Sequence, residues 1–268
     1  MKIGVFDSGY GGLTILEKIR ERLPQYDYLY LGDNARAPYG TRSFEVIYEY
    51  TLQAVRWLEA QGCRLIVLAC NTASAKALRT IQQHDINPDK LRVLGVIRPT
   101  VEVVPPLTKT GHVGVLATPA TVSSESYILE LAKIDAGLIV TQQACPRWVP
   151  LIEAGEHLGD GADYYVDEYL RDIFAKDPKI DTLILGCTHY PLLLDKIQRR
   201  LPDGISTVCQ GAIVADSLAD YLSRHCDIAS VLSQNATCRY ITTESADKFR
   251  DSASLFLSTP IAAEHLEW

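Results

Sequence analysis

Two of the seven cysteines stand where a thiol could move a proton. Leu65-Ile66-Val67-Leu68-Ala69-Cys70-Asn71-Thr72-Ala73-Ser74 and Thr182-Leu183-Ile184-Leu185-Gly186-Cys187-Thr188-His189-Tyr190-Pro191 share one plan: an apolar run, a small residue, a cysteine, then polar residues suited to opening a helix. Such runs read as buried parallel strands, and Asn-Thr or Thr-His as the turn into a helix. Ligands of open α/β sheets bind beyond the carboxyl ends of the strands. The positive end of a helix dipole there favours thiolate. Two such thiols suit a transfer in which one removes a proton and the other returns one. For a single cysteine the competing reading is an inert packed residue, and Cys63, Cys145, Cys209, Cys226 and Cys238 are assigned to it. The repeated setting separates Cys70 and Cys187 from them.

Asp7 and His189 are the natural assistants. Asp7 ends the first apolar run, where an ionised carboxylate is costly unless hydrogen-bonded. His189 comes two positions after Cys187 and titrates near neutrality. Ser8, Asn71, Thr72, Thr118 and Thr188 offer hydroxyls, an amide and helix-terminal N–H groups to a carboxylate-bearing small molecule, with simple N-capping as the alternative. Other chemistries fit less well. Gly9-Tyr10-Gly11-Gly12-Leu13-Thr14 approaches a dinucleotide fingerprint, and Asp33 stands where a ribose-binding acid would, but the last glycine is missing and Asp7-Ser8 would face the pyrophosphate. There is no G-x-x-x-x-G-K-[ST], and no arginine follows either cysteine closely enough for a thiolate phosphatase loop. Cys187, His189, Cys70 and Asp7 could be metal ligands, yet closely spaced cysteine pairs are absent. No metal and no cofactor are expected.

Strands and helices alternate along the whole chain, which implies parallel α/β architecture. Strands are expected at Lys2–Phe6, Tyr28–Leu31, before Cys70, at Arg92–Ile97, His112–Leu116, Leu138–Thr141, before Cys187, and at Gly204–Val208, Arg239–Thr242 and Leu255–Leu257. Helices are expected to Leu23, from an N-cap at Thr41 to Gln61, from Asn71 to His84, from Thr121, over Asp160–Lys176, after Cys187 and over Val214–Leu222. Glu153 lies in a glycine-flanked stretch, and Arg98-Pro99 marks a crossing between domains because the residue before proline leaves helical geometry. A second echo joins Ile3-Gly4-Val5 to Val113-Gly114-Val115: the glycines are 114 − 4 = 110 positions apart and the cysteines 187 − 70 = 117. Two pairs at nearly one offset suggest a duplicated unit with a shared cleft.

The chain has 268 residues, 47% hydrophobic and 22% charged, with a net charge of −7. That is an ordinary globular composition, long enough for one large or two smaller domains, and mildly against a nucleic-acid surface. No segment resembles a signal peptide or a membrane span. An odd number of cysteines without an export signal points to reduced thiols and a cytoplasmic location.

Asp7-Ser8-Gly9-Tyr10-Gly11-Gly12-Leu13, Leu31-Gly32-Asp33-Asn34-Ala35-Arg36-Ala37-Pro38-Tyr39-Gly40, Leu68 to Ser74, and Gly186 to Pro191 resemble the signature blocks of bacterial glutamate racemase, in the cofactor-independent aspartate/glutamate racemase group. Ala144-Cys145-Pro146 and Val149-Pro150-Leu151-Ile152-Glu153 resemble another block. The resemblance implies two similar α/β domains with flavodoxin-like parallel sheets related by pseudo-symmetry and the active site between them. Residues 1–97 with 210–268 would form one, 98–209 the other. It implies interconversion of L- and D-glutamate without cofactor, for peptidoglycan and cell shape, commonly by homodimers. On this resemblance Cys70 takes the α-proton of D-glutamate and Cys187 that of L-glutamate. Asp7 and His189 assist them respectively, with Glu153 a further acid. Asp7, Ser8, Tyr39, Gly40, Asn71, Thr72, Thr118, Thr188 and His189 bind substrate. Two alternatives stay open: an aspartate or broad-range racemase of the same group, and a non-catalytic amino-acid-binding regulatory module. The sequence departs from the family pattern at Arg98, at Gln210-Gly211-Ala212 and at Thr242-Thr243-Glu244.

Overall fold

The computed structural model describes residues 1–268. Its strands are β1 (Lys2–Asp7), β2 (Tyr28–Gly32), β3 (Cys63–Leu68), β4 (Arg92–Gly95), β5 (His112–Ala117), β6 (Ile139–Ala144), β7 (Thr182–Gly186), β8 (Ser206–Val208), β9 (Cys238–Thr242) and β10 (Ala263–His265). They form two sheets, ordered β10-β9-β2-β1-β3-β4 and β6-β5-β7-β8, and every strand pair is parallel. Without β9 and β10 the first sheet runs β2-β1-β3-β4, and the second repeats that order. The expected α/β fold, two flavodoxin-like sheets, is therefore present.

The strands read as continuous apolar runs because helices cover both faces. Along β3, Leu65 and Val67 enter the largest core, while Ile66 and Leu68 enter a second one on the opposite face. Each large aliphatic side chain buried in this way contributes roughly 1.5–3 kcal/mol. The glycine echo has a packing cause. A Cβ at Gly114 would meet Leu183 Cδ1 at 2.8 Å, and one at Gly4 would meet Cys63 Sγ at 3.2 Å. At both positions a neighbouring strand's side chain fills the space.

Several local expectations change. Ser43, not Thr41, caps the Phe44–Ala60 helix, accepting from Val46 N at 3.4 Å. The helix after Cys70 is not continuous to His84: it breaks into Asn71–Lys76, Leu78–Thr80 and a π-helical turn at Ile81–Asp85. Ser74 turns its hydroxyl back to Leu68 O (2.9 Å), the kind of side-chain bond that competes with helix. Arg98 and Pro99 lie inside the helix Ile97–Glu102, since a proline in the first turn removes an N–H that has no partner there. Thr118 caps a short helix, Pro119–Ser123, and a second, Ser126–Ile134, starts after left-handed Glu125. Leu255–Leu257 is no strand. The sheet edge belongs to β10, and the helix Ala246–Ala253 precedes a turn that buries Phe256. No helix is long and apolar enough to cross a membrane.

Candidate active site

The carboxyl ends of β1, β3, β5, β6 and β7 converge on one cavity with about 570 Å³ of empty space, part of it open to solvent. Ser8, Tyr39, Gly40, Cys70, Asn71, Thr72, Thr118, Glu153, Cys187, Thr188 and His189 all line it. Asp7 alone among the candidates does not. Both sulfurs thus face one space, and Cys70 and Cys187 are only 6% and 7% exposed.

Cys70 is held from three sides. It is the N-cap of Asn71–Lys76, its Sγ accepting from Ala73 N at 3.4 Å. The Ser8 hydroxyl lies 3.3 Å from the same sulfur. Asp7, 1% exposed, sits one layer behind: its Oδ2 accepts from Gly9 N at 2.9 Å, and its Oδ1 faces the Thr188 hydroxyl at 3.5 Å. Burial pushes the Cys70 thiol up to about 12, with the Asp7 charge adding to it, while the hydrogen bonds from Ser8 and Ala73 pull back. Burial raises Asp7 as well, against the opposing charge of His189. A neutral thiol is the resting form of Cys70 at neutral pH.

Cys187 has other company. The sequence places a helix directly behind it, but the structure has only a 3₁₀ turn, Tyr190–Leu193, with the helix Leu194–Gln198 further on. Its partner is instead His189, whose Nδ1 lies 3.8 Å from Cys187 Sγ and whose Nε2 is 2.9 Å from Glu153 Oε1. Burial alone would push this imidazole down. The Cys187 sulfur and the Glu153 carboxylate outweigh it and hold His189 up at about 10. Two glycines make these approaches possible: a Cβ at Gly11 would collide with Thr188 Oγ1, and one at Gly12 with Asp7 Cβ.

The remaining wall is polar and pre-arranged. Thr72 and Thr118 hydroxyls are 3.0 Å apart, and Thr121, not foreseen in the sequence, hydrogen-bonds Thr118 at 3.0 Å. Gly40 lies against Thr118, where a Cβ would come within 2.9 Å. Tyr39 hydrogen-bonds Asp33, and Thr243, at a departure from the family pattern, donates to the same carboxylate at 2.9 Å. Arg98, at another departure, is an exposed residue paired with Glu102 and Glu130. Cys145, assigned an inert role from the sequence, lines the cavity, as do Pro146, Val149 and Pro150 of the same family-like block, which have no part in the site on the sequence reading. The strand-end rule applied to β6 would have flagged Cys145. Phe256, 5.4 Å from the His189 ring, and Gln210, bonded to Asn71, come from sequence too distant to carry a signal. No three His, Cys, Asp or Glu side chains converge as metal ligands.

The arrangement opens two thiols onto one cavity whose wall also carries the hydroxyls of Ser8, Thr72, Thr118 and Thr188. Known proteins of similar sequence and fold agree with that chemistry. A glutamate racemase of Ruegeria sp. (strain TM1040) is 41% identical over a 274-residue alignment covering 98% of this chain and 99% of that protein. The crystal structure of a glutamate racemase isoform from Bacillus anthracis superposes with a TM-score of 0.89 at 34% identity, covering 99% of this chain and 97% of that one. The structure from Francisella tularensis, in complex with D-glutamate, gives the same TM-score, identity and coverage. A sequence model described as Asp/Glu/hydantoin racemase matches residues 3–218, and with the fold and full-length relatives in agreement, this chain belongs to the Asp/Glu/hydantoin racemase family.

Proposed function

We infer that the protein is an amino-acid racemase that interconverts L- and D-glutamate by proton transfer between Cys70 and Cys187. The observation that supports this most is the opening of both buried thiols onto one cavity, one beside a protonated imidazole and the other a neutral acid. L-Glutamate would lose its α-proton to the Cys187 sulfur, breaking Cα–H. The Cys70 thiol would then give its proton to the opposite face of Cα. The reverse reaction starts with the proton on Cys187 and the charge on Cys70. Between the two transfers negative charge develops on the α-carboxylate and Cα. Thr72, Thr118, Thr188 and the N–H groups at the start of the Cys70 helix would stabilise it from the polar wall of the cavity. His189 acts on Cys187, Glu153 acts on His189, and Asp7 acts on Cys70 from behind the wall. Tyr39, Gly40, Ser8 and Asn71 shape the substrate's surroundings.

The relatives' substrate supports glutamate over aspartate, since 41% identity extends over the full chain. The same reading takes residues 1–97 with 210–268 and 98–209 as the two units that close on substrate. It also includes homodimer assembly, a cytoplasmic location and supply of D-glutamate to peptidoglycan. Sedimentation equilibrium tests the dimer. The decisive experiment is NMR of L-glutamate incubated with the protein in D₂O, with no cofactor added. The expected result is D-glutamate carrying deuterium at Cα, with much slower turnover of L-aspartate. Tight glutamate binding without deuterium at Cα would instead mark a non-catalytic module.

A further inference from the structure

We propose that Gln210 is a positioning residue that fixes which end of the Asn71 amide is left for the substrate. This rests on the reading that the cavity holds glutamate. Gln210 opens the helix Gln210–Arg224 and is 2% exposed, as is Asn71, while Thr100 and Tyr127 are fully buried. The four side chains form one hydrogen-bonded cluster behind the cavity wall, and Asn71 is the member that reaches the cavity.

The polarity of the cluster is set by a backbone carbonyl, which cannot turn round. Thr100 gives its only hydroxyl proton to Val96 O at 2.6 Å. Toward Gln210 its oxygen can therefore only accept, and it does so from Nε2 at 2.9 Å. That orients the Gln210 amide and presents its Oε1 to Asn71 Nδ2, which donates to it at 2.5 Å. Tyr127 accepts from Gln210 Nε2 at 3.0 Å, so its own proton goes to Asn71 Oδ1 at 2.7 Å. Gln210 Nε2 lies 3.2 Å from the same oxygen.

The Asn71 oxygen is thus held by Tyr127, since Thr100 and Tyr127 take both hydrogens of Gln210 Nε2, and one hydrogen of the Asn71 NH₂ is used on Gln210. The donor left on this amide is its other N–H, suited to a carboxylate. A flipped Asn71 would set its oxygen against Gln210 Oε1, and would leave its oxygen side repelling an anionic ligand. The cluster also joins the two sheets' helices at the cavity floor, since Tyr127 lies on Ser126–Ile134.

The test is Gln210→Met, which keeps the length and loses both polar ends, assayed with both enantiomers of glutamate. The expected result is a KM raised about tenfold to a hundredfold, the size of one hydrogen bond to a charged group, with kcat changed by less than about threefold. In an Asn71→Ala background the same substitution is expected to add nothing further to KM, because its effect travels through Asn71. An unmoved KM in the single variant, or full additivity in the double variant, would overturn the proposal and leave Gln210 a packing residue. If Gln210→Met does not fold, Gln210→Leu, which also lacks both polar ends, carries the same two readings. Wild-type protein that fails to racemise glutamate rejects the glutamate reading itself. Racemisation by wild type with an unmoved KM in the variants rejects only the role of Gln210.

Discussion

Cys70 and Cys187 stand after equivalent strands of two repeated sheets, yet different physics surrounds each sulfur. Around Cys70 the support is a helix N-terminus and a hydroxyl, with a buried carboxylate behind, and the thiol is pushed up to about 12. Around Cys187 the helix is replaced by a 3₁₀ turn, and the support is an imidazole that a carboxylate holds protonated. Duplication kept the position of the thiol and changed its partners. The outcome is a site with a proton on the Cys70 sulfur and a protonated imidazole beside the Cys187 sulfur. Enantiomers have equal free energy in water, so kcat/KM must be the same in both directions for wild type and for every variant. The asymmetry of the two thiols can show only in half-reactions, in kcat and KM taken separately, and in pH dependence.

The largest effect separates the thiols by face. Cys70→Ser and Cys187→Ser are each expected to lower racemisation by at least ~10²–10⁴-fold, the usual contribution of a general acid or base, measured by circular dichroism of glutamate. With an analogue bearing a leaving group at Cβ, only one proton abstraction is needed. Cys70→Ser should then retain elimination from the L form and Cys187→Ser from the D form. Elimination from the same enantiomer by both variants would break the comparison.

A middle-sized effect concerns the Cys187 side alone. Glu153 helps to hold His189 protonated, so Glu153→Gln should move the alkaline limb of kcat/KM from near pH 10 to lower pH, with a loss of about tenfold at pH 8. His189→Asn should abolish that limb and cost more. Stability has the same sign. A histidine whose folded pKa is raised contributes stability fully present below its unfolded value of 6.5 and lost as pH rises through about 10. The urea midpoint should therefore fall between these pH values in wild type, and fall less in His189→Asn. An alkaline limb unmoved by Glu153→Gln would remove His189 from the account of Cys187.

How much of this was legible in the chain depends on distance along it. The apolar runs before Cys70 and Cys187 and the Gly4–Gly114 echo pointed to the repeated sheets, because strands buried on both faces leave a continuous apolar signal. The strand-end position of each cysteine placed both on the cavity. The same pattern misled over the segment after Cys187, since Thr-His-Tyr-Pro reads equally as a helix start and as a tight turn. Leu255–Leu257 has the apolarity of a strand, yet Phe256 is used to pack beside Tyr10 and His189. Gln210 and Tyr127, 139 and 56 positions from Asn71, meet it only through the folded topology, which no local pattern encodes.

The smallest effect sharpens the Cys70 side. Ser8→Ala removes a hydroxyl 3.3 Å from Cys70 Sγ that pulls the thiol's pKa down, so the Cys70 thiolate loses about one hydrogen bond's worth of stabilisation, roughly 0.5–1.5 kcal/mol. On the proposed mechanism D-glutamate binds the form in which Cys70 is fully thiolate, whereas in the transition state that charge is only partly developed. The variant therefore raises the D-complex by the full amount and the transition state by a fraction. The L-complex, with Cys70 neutral, is untouched. Rates measured with each enantiomer should then part in three ways: kcat for L to D falls by about 1.5-fold to threefold if half the charge has developed in the transition state, kcat for D to L rises by a similar factor, and KM for D rises by the full about twofold to tenfold, which keeps the two kcat/KM values equal. An equal fall in kcat from both enantiomers would mean that Ser8 serves the transition state and not the Cys70 thiolate.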